Sequence, residues 1–270
     1  GMGVVSYQWQ RDWLDIAGAT GGTYTLGDAD VGTTIRVVAA YTDGEGTNES
    51  VNSGGVGPVA NVNDAPVGIP VITGTVTEDQ TLTANTGGIS DADGLGAFSY
   101  QWLRNGAVIT GATASTYTLG DADVGTQISV QVSYTDGHGT NEGPFNSAQV
   151  GPVANVNDAP VGVPVITGTV TEDQTLTANT GGISDADGLG AFSYQWLRNG
   201  AVITGATAST YTLGDADVGT QISVQVSYID GHGTNESLTS AQTAAVANVN
   251  DAPVGIPVIT GTVTEDQTLT

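Results

Sequence analysis

Between residues 128 and 135 the side chains alternate without a break. Ile128, Val130, Val132 and Tyr134 point one way, and Ser129, Gln131, Ser133 and Thr135 the other. A period of two over eight positions predicts a strand with one face buried and one wet. The same pattern places Tyr100 and Trp102 opposite Gln101 and Leu103. Asn105-Gly106 between two extended runs is the residue pair a two-residue hairpin needs. Short β-rich runs separated by Gly, Asp, Asn and Thr continue on both sides. They predict strands near Val71–Val76, Gln80–Ala84, Ser99–Arg104, Ala107–Thr110, Thr116–Leu119, Gln127–Thr135 and Ala148–Val153. No segment carries a helical stripe, so the unit reads as an all-β sandwich with Trp102 on its third strand as a core residue.

That unit recurs. Tyr-Gln-Trp begins at Tyr7, Tyr100 and Tyr194, and Asn-Asp-Ala-Pro at Asn63, Asn157 and Asn250, always 93 or 94 residues apart. Residues 67–142 match 161–236 except at Ile69/Val163 and Thr135/Ile229. A period this long exceeds that of a solenoid, so each repeat should be its own domain in a linear array. The boundaries fall at 1–64, a first sandwich lacking the counterparts of its first two strands; 65–158, a second; 159–251, a third; and 252–270, the start of a fourth. The terminal segment Val254–Thr270 repeats residues 67–83 and so carries strands that the first repeat lacks. This raises the expectation of head-to-tail self-association by strand addition.

Charge sharpens the picture. There are 28 acids against four arginines and no lysine, a net charge of -24. Such a surface repels nucleic acid and anionic membranes, so neither is an expected partner. With no cysteine, stability must come from the core, from a bound cation, or from both. All the acids except Asp12 and Asp15 lie in turn-like segments that recur from repeat to repeat. In an up-and-down sandwich alternate turns share one end. Asp91, Asp93 and Asp136 should therefore lie where the chain enters the second domain, and Glu78, Asp79, Asp121 and Asp123 where it leaves. The linker acids Asp64 and Asp158, with Asn63 and Asn157, fall between domains. Asp185, Asp187 and Asp230 are the third repeat's entry-end set. Clustered carboxylates repel unless a cation sits among them, and an all-oxygen set suits calcium. The other account is that Asp and Asn are turn formers, which fits Gly-Asp-Ala-Asp-Val-Gly well. Both accounts stay open on the sequence.

The linker Asn155-Val156-Asn157-Asp158-Ala159-Pro160 resembles the interdomain linker of cadherins, and Asp185-Ala186-Asp187 their entry-end calcium loop. Thr77-Glu78-Asp79 is similar in position to the glutamate that closes that site from the preceding domain. The whole unit resembles the immunoglobulin-like and cadherin-like repeats of giant bacterial surface adhesins, type I secreted and RTX-type. The resemblance implies an extracellular or cell-surface stalk with calcium as cofactor. Its implied ligands are Asn63, Asp64, Glu78, Asp79, Asp91, Asp93, Asp136, Asn157, Asp158, Asp185, Asp187 and Asp230. Cadherin linkers carry a further acid before the first asparagine, where this chain has Val153 or Ala154, which lowers the expected number of ions per joint.

Catalysis is not expected. There is no cysteine or lysine nucleophile, and the histidine loop position of the second and third repeats holds Glu45 in the first. The second functional class is a glycan-binding or homophilic repeat. Its support is Trp13, which replaces the hairpin glycine at position 106 and could form an exposed aromatic platform.

Overall fold

The computed structural model describes residues Gly1–Thr270. The chain divides into two compact units, Gly1–Val156 and Asn157–Thr270. The first unit holds β1 (Ser6–Arg11), β2 (Leu14–Asp15), β3 (Ile35–Thr42) and β4 (Asn48–Asn52), followed by β5 (Val71–Thr73), β6 (Thr81–Asn85), β7 (Ser99–Arg104), β8 (Ala107–Val108), β9 (Thr116–Thr118), β10 (Ile128–Thr135) and β11 (Asn141–Asn146). The second holds β12 (Val165–Thr167), β13 (Thr175–Asn179), β14 (Ser193–Arg198), β15 (Ala201–Val202), β16 (Thr210–Thr212), β17 (Ile222–Ile229) and β18 (Asn235–Thr239).

The second repeat is a sandwich of a three-stranded sheet, β5-β6-β9, and a four-stranded sheet, β11-β10-β7-β8. The third repeats it as β12-β13-β16 and β15-β14-β17-β18. The named strands pair antiparallel throughout, and the division of strands between the sheets is that of an immunoglobulin-like sandwich. The alternation in β10 aims Ile128, Val130, Val132 and Tyr134 inward, all nearly fully buried. Trp102 lies against them with no exposed surface, stacks on Tyr117 at 5.6 Å between ring centroids, and donates its indole N–H to Ala114 O at 2.9 Å. A tryptophan so enclosed, with its one donor satisfied, is a core residue. Trp196 repeats the arrangement over Leu176, Leu213 and Val224.

One expected strand lies elsewhere. The seventh strand is β11, not Ala148–Val153; the latter segment makes only bridges, Val150 to Ile128 and Val153 to Val124. Gly143-Pro144 disguised β11 as a turn. Proline is tolerated there because β11 is an edge strand, and the register shifts between Val132 and Tyr134 to make room.

The first repeat has a single sheet, β2-β1-β3-β4. Leu26 is 52% exposed, whereas its counterpart Leu119, under β6, is 1% exposed. Val254–Thr270 is exposed throughout, and Thr260 and Thr270 exchange backbone hydrogen bonds of 2.8 and 2.9 Å, the pairing Thr73 makes with Thr83.

Candidate metal centre

The turns sort to two ends of each sandwich. At the entry end of the second repeat, Gly137 N donates to Asp93 O at 3.0 Å, joining the β10–β11 turn to the β6–β7 loop. At the exit end, Asp79 N donates to Leu119 O at 3.0 Å, and Val156 N to Glu78 Oε2 at 3.1 Å. Asp79 sits at φ 61 as the left-handed residue of its turn, a conformation that Asp tolerates.

Entry-end carboxylates are heavily committed. Asp93 Oδ2 accepts from Asp64 N at 2.7 Å, and Asp91 Oδ1 from Asp93 N at 2.9 Å. The Tyr134 hydroxyl donates to Asp91 Oδ2, and burial together with that carboxylate pushes the Tyr134 pKa far up. Asp136 Oδ1 accepts from His138 N at 2.8 Å and Thr140 N at 2.7 Å. Asn63 Nδ2 reaches Glu142 Oε1 at 2.8 Å. The third repeat is the same: Asp158 N to Asp187 Oδ2 at 2.8 Å, Asp187 N to Asp185 Oδ1 at 3.0 Å, Tyr228 hydroxyl to Asp185 Oδ2, and Asn157 Nδ2 to Glu236 Oε1 at 3.0 Å. Asp230 Oδ1 accepts from His232 N and Thr234 N, each at 2.8 Å. Burial raises the Asp136 and Asp230 carboxyls, but these N–H donors outweigh it and hold both below the ordinary value. The second oxygen of each, Oδ2, is buried without a hydrogen-bond partner. An unmatched buried carboxylate oxygen calls for a water or a cation.

The exit end is built otherwise. Each Gly-Asp-Ala-Asp-Val-Gly motif forms one 3-10 turn, at Asp28–Asp30, Asp121–Asp123 and Asp215–Asp217. Its two aspartates part company. The second turns inward: Asp123 takes Arg104 Nε at 2.7 Å, the Tyr117 hydroxyl at 2.9 Å and Gly120 N at 3.0 Å. Asp30 with Arg11 and Tyr24, and Asp217 with Arg198 and Tyr211, repeat this, so three of the four arginines are spent on core anchors. Asp123 is therefore no metal candidate, although the sequence groups it with Asp121.

The first aspartate faces the linker. In the second unit, carboxylate oxygens of Glu172, Asp215 and Asp251 all lie within 4.8 Å of one another. Val249 N donates to Glu172 Oε2 at 2.9 Å, which lowers that carboxyl; burial, Asp215 and Asp251 outweigh it and push it up. In the first unit, Asp28, then burial, Asp93 and Asp91 push the Asp64 carboxyl up. Asp64 thus feels the exit-end turn of one repeat through its side chain while its N–H binds the entry-end Asp93 of the next. Glu78 and Asp121 hold the corresponding exit-end positions of the second repeat. Glu172, Asp215 and Asp251 were not among the expected ligands. Their signal was the first aspartate of the recurring motif, which the sequence alone does not separate from the second.

Three carboxylates with oxygens within 4.8 Å of one another, no nitrogen or sulfur donor, and two of the three side chains exposed fit a hard divalent cation taking six to eight oxygens at distances near 2.4 Å. They suit calcium better than zinc.

No protein-family model matches the chain, and no curated protein does. Among solved structures, a crystal structure of titin domains aligns at 12% identity over 88% of each chain with a TM-score of 0.26. The fibronectin-domain segment of chicken CNTN1 aligns at 13% over 90% of this chain and 87% of that one, TM-score 0.24. A Bacteroides ovatus glucan-utilisation protein solved with a mixed-linkage heptasaccharide gives 13%, 90% and 60%, TM-score 0.17. These likenesses are too loose to carry an argument; the sandwich assignment rests on the strand order.

Proposed function

We propose that this chain is a run of spacer repeats from the stalk of a large extracellular bacterial adhesin, with calcium stiffening the joints and no catalytic role. The observation that carries the reading is the near-identity of residues 67–142 and 161–236, joined to acids that gather at the domain ends. A spacer needs length and stiffness, and identical units supply both. Asp64, Asp158 and Asp251 recur in the linkers, where an ion held with the exit-end acids would limit bending. Glu172, Asp215 and Asp251 would hold it in the third repeat, and its charge would relieve the repulsion that raises Glu172. Small-angle scattering tests this. The expected result is a longer maximum dimension in calcium than in chelator, with unchanged circular dichroism. Equal dimensions in both would end the spacer-with-calcium reading.

A further inference from the structure

The hairpin of the first repeat differs from its two sisters in a way that neither the fold nor the joint requires. In the second and third repeats the turn is Asn105-Gly106 and Asn199-Gly200, with φ of 47 and 81 and of 47 and 80. Both central residues are left-handed, the turn a two-residue hairpin favours, and glycine adopts it without strain. The first repeat keeps that backbone but places Asp12 at φ 45 and Trp13 at φ 68. A bulky residue is rarely found there. Nor does burial compensate, because Trp13 is 60% exposed and its neighbour Leu14 is 75% exposed. A Cβ built on Gly106 or Gly200 meets nothing within 4 Å, so the position points into open solvent.

The change is not isolated. On the face of the sheet opposite Trp102 the second repeat lines up Val108, Leu103 and Ser129, cross-strand neighbours on β8, β7 and β10. The first repeat has Asp15, Gln10 and Arg36 at these places. Gln10 Nε2 donates to Asp15 Oδ1 at 2.6 Å, and Arg36 Nε to Gln10 Oε1 at 2.6 Å. The Arg36 guanidinium lies 5.9 Å from the Trp13 ring centroid. Arg36 is also the one arginine not spent on a buried aspartate. A featureless row has become a planar carboxylate, amide and guanidinium leading to an exposed indole.

We propose that this face of the first repeat binds neutral carbohydrate. A pyranose ring has an apolar C–H face and a rim of hydroxyls. The indole offers a flat apolar surface for the first, and the row supplies acceptors at Asp15, both kinds of group at Gln10 and donors at Arg36 for the second. A net charge of -24 sets the ligand class, since it repels polyanionic glycans and leaves neutral ones unaffected. The site is independent of the calcium joints, and a spacer reading neither needs it nor forbids it.

The test is affinity electrophoresis of the full chain in native gels containing a neutral β-glucan, an α-glucan or a galactomannan. At least one should retard the wild type. Trp13→Gly should restore the mobility seen in the sugar-free gel, and Arg36→Ser should reduce the retardation. Trp13→Gly installs the residue that the sister repeats carry in the same turn, so its melting curve should not fall below wild type. Lack of retardation of the wild type by any of the three overturns the proposal, as does equal retardation of Trp13→Gly. A change in the sedimentation of the sugar-free protein on Trp13→Gly would mark the patch as a contact between copies and overturn it too.

Discussion

The two ends of the third repeat carry similar acids and use them in opposite ways. At the entry end Asp185, Asp187 and Asp230 are wrapped by N–H and hydroxyl donors, and one oxygen, Asp230 Oδ2, is left bare in the interior. At the exit end Glu172, Asp215 and Asp251 converge within 4.8 Å with one backbone donor, from Val249, among them. An aspartate whose oxygens close its own loop is structural, and removing it breaks bonds. An aspartate facing other carboxylates is under tension until a cation arrives. The turn-forming account is thus realised at the entry end, and the exit end offers the carboxylate cluster that the cation account needs.

The comparison can be broken by mutation. The largest effect is expected for Asp230→Ala, which leaves His232 N and Thr234 N without their shared acceptor. Hydrogen bonds to a charged group are worth roughly 1.5–3 kcal/mol each, and denaturant unfolding should show a loss of about 3 kcal/mol with or without calcium. A loss seen only in calcium would move Asp230 into the ion site. Next is calcium itself. At a hundredfold excess over Kd, a ligand of the folded state adds about 2.7 kcal/mol, read as a raised melting temperature. Asp215→Asn should remove the third repeat's share of that gain, and in chelator it should be neutral or stabilising by about 0.5–1 kcal/mol, because it removes like-charge repulsion. A destabilised Asp215→Asn in chelator would show that the exit-end acids are structural as well.

The smallest effect is the pH dependence in chelator, and it has two signs. Glu172 has a raised folded pKa, so the folded state binds its proton more tightly and stability rises as pH falls from neutral through that value, above 4.5. Asp136 and Asp230 have lowered folded pKa values. Their contribution is present above the ordinary value of 3.8 and is lost as pH falls through the folded values. Stability should therefore pass through a shallow maximum in mild acid, and calcium should remove the rising limb. A monotonic profile in chelator would contradict the assignment of Glu172.

Much of this is legible in the sequence. The period of the repeat, the strand at 128–135, the Asn-Gly hairpin and the buried Trp102 follow from pattern and turn chemistry. So does the division of acidic loops between ends, because it needs only alternating strand direction. β11 was not legible, since Gly143-Pro144 carries the marks of a turn and only an edge position excuses the proline. The partition within Gly-Asp-Ala-Asp-Val-Gly was hidden for another reason. The 3-10 turn sends residues two apart in different directions, and the arginine that claims Asp123 is 19 residues away in the chain. Trp13 was visible as an oddity, but its link to Gln10, Asp15 and Arg36 needs the register of three strands.

The central claim is that exit-end acids hold calcium while entry-end acids hold their loops. Isothermal titration of calcium into the wild-type chain and into Asp215→Asn tests it most directly. The account predicts saturable binding to the wild type and one ion fewer per chain in Asp215→Asn, at unchanged circular dichroism. Equal isotherms for the two proteins, or no binding by either, would contradict it.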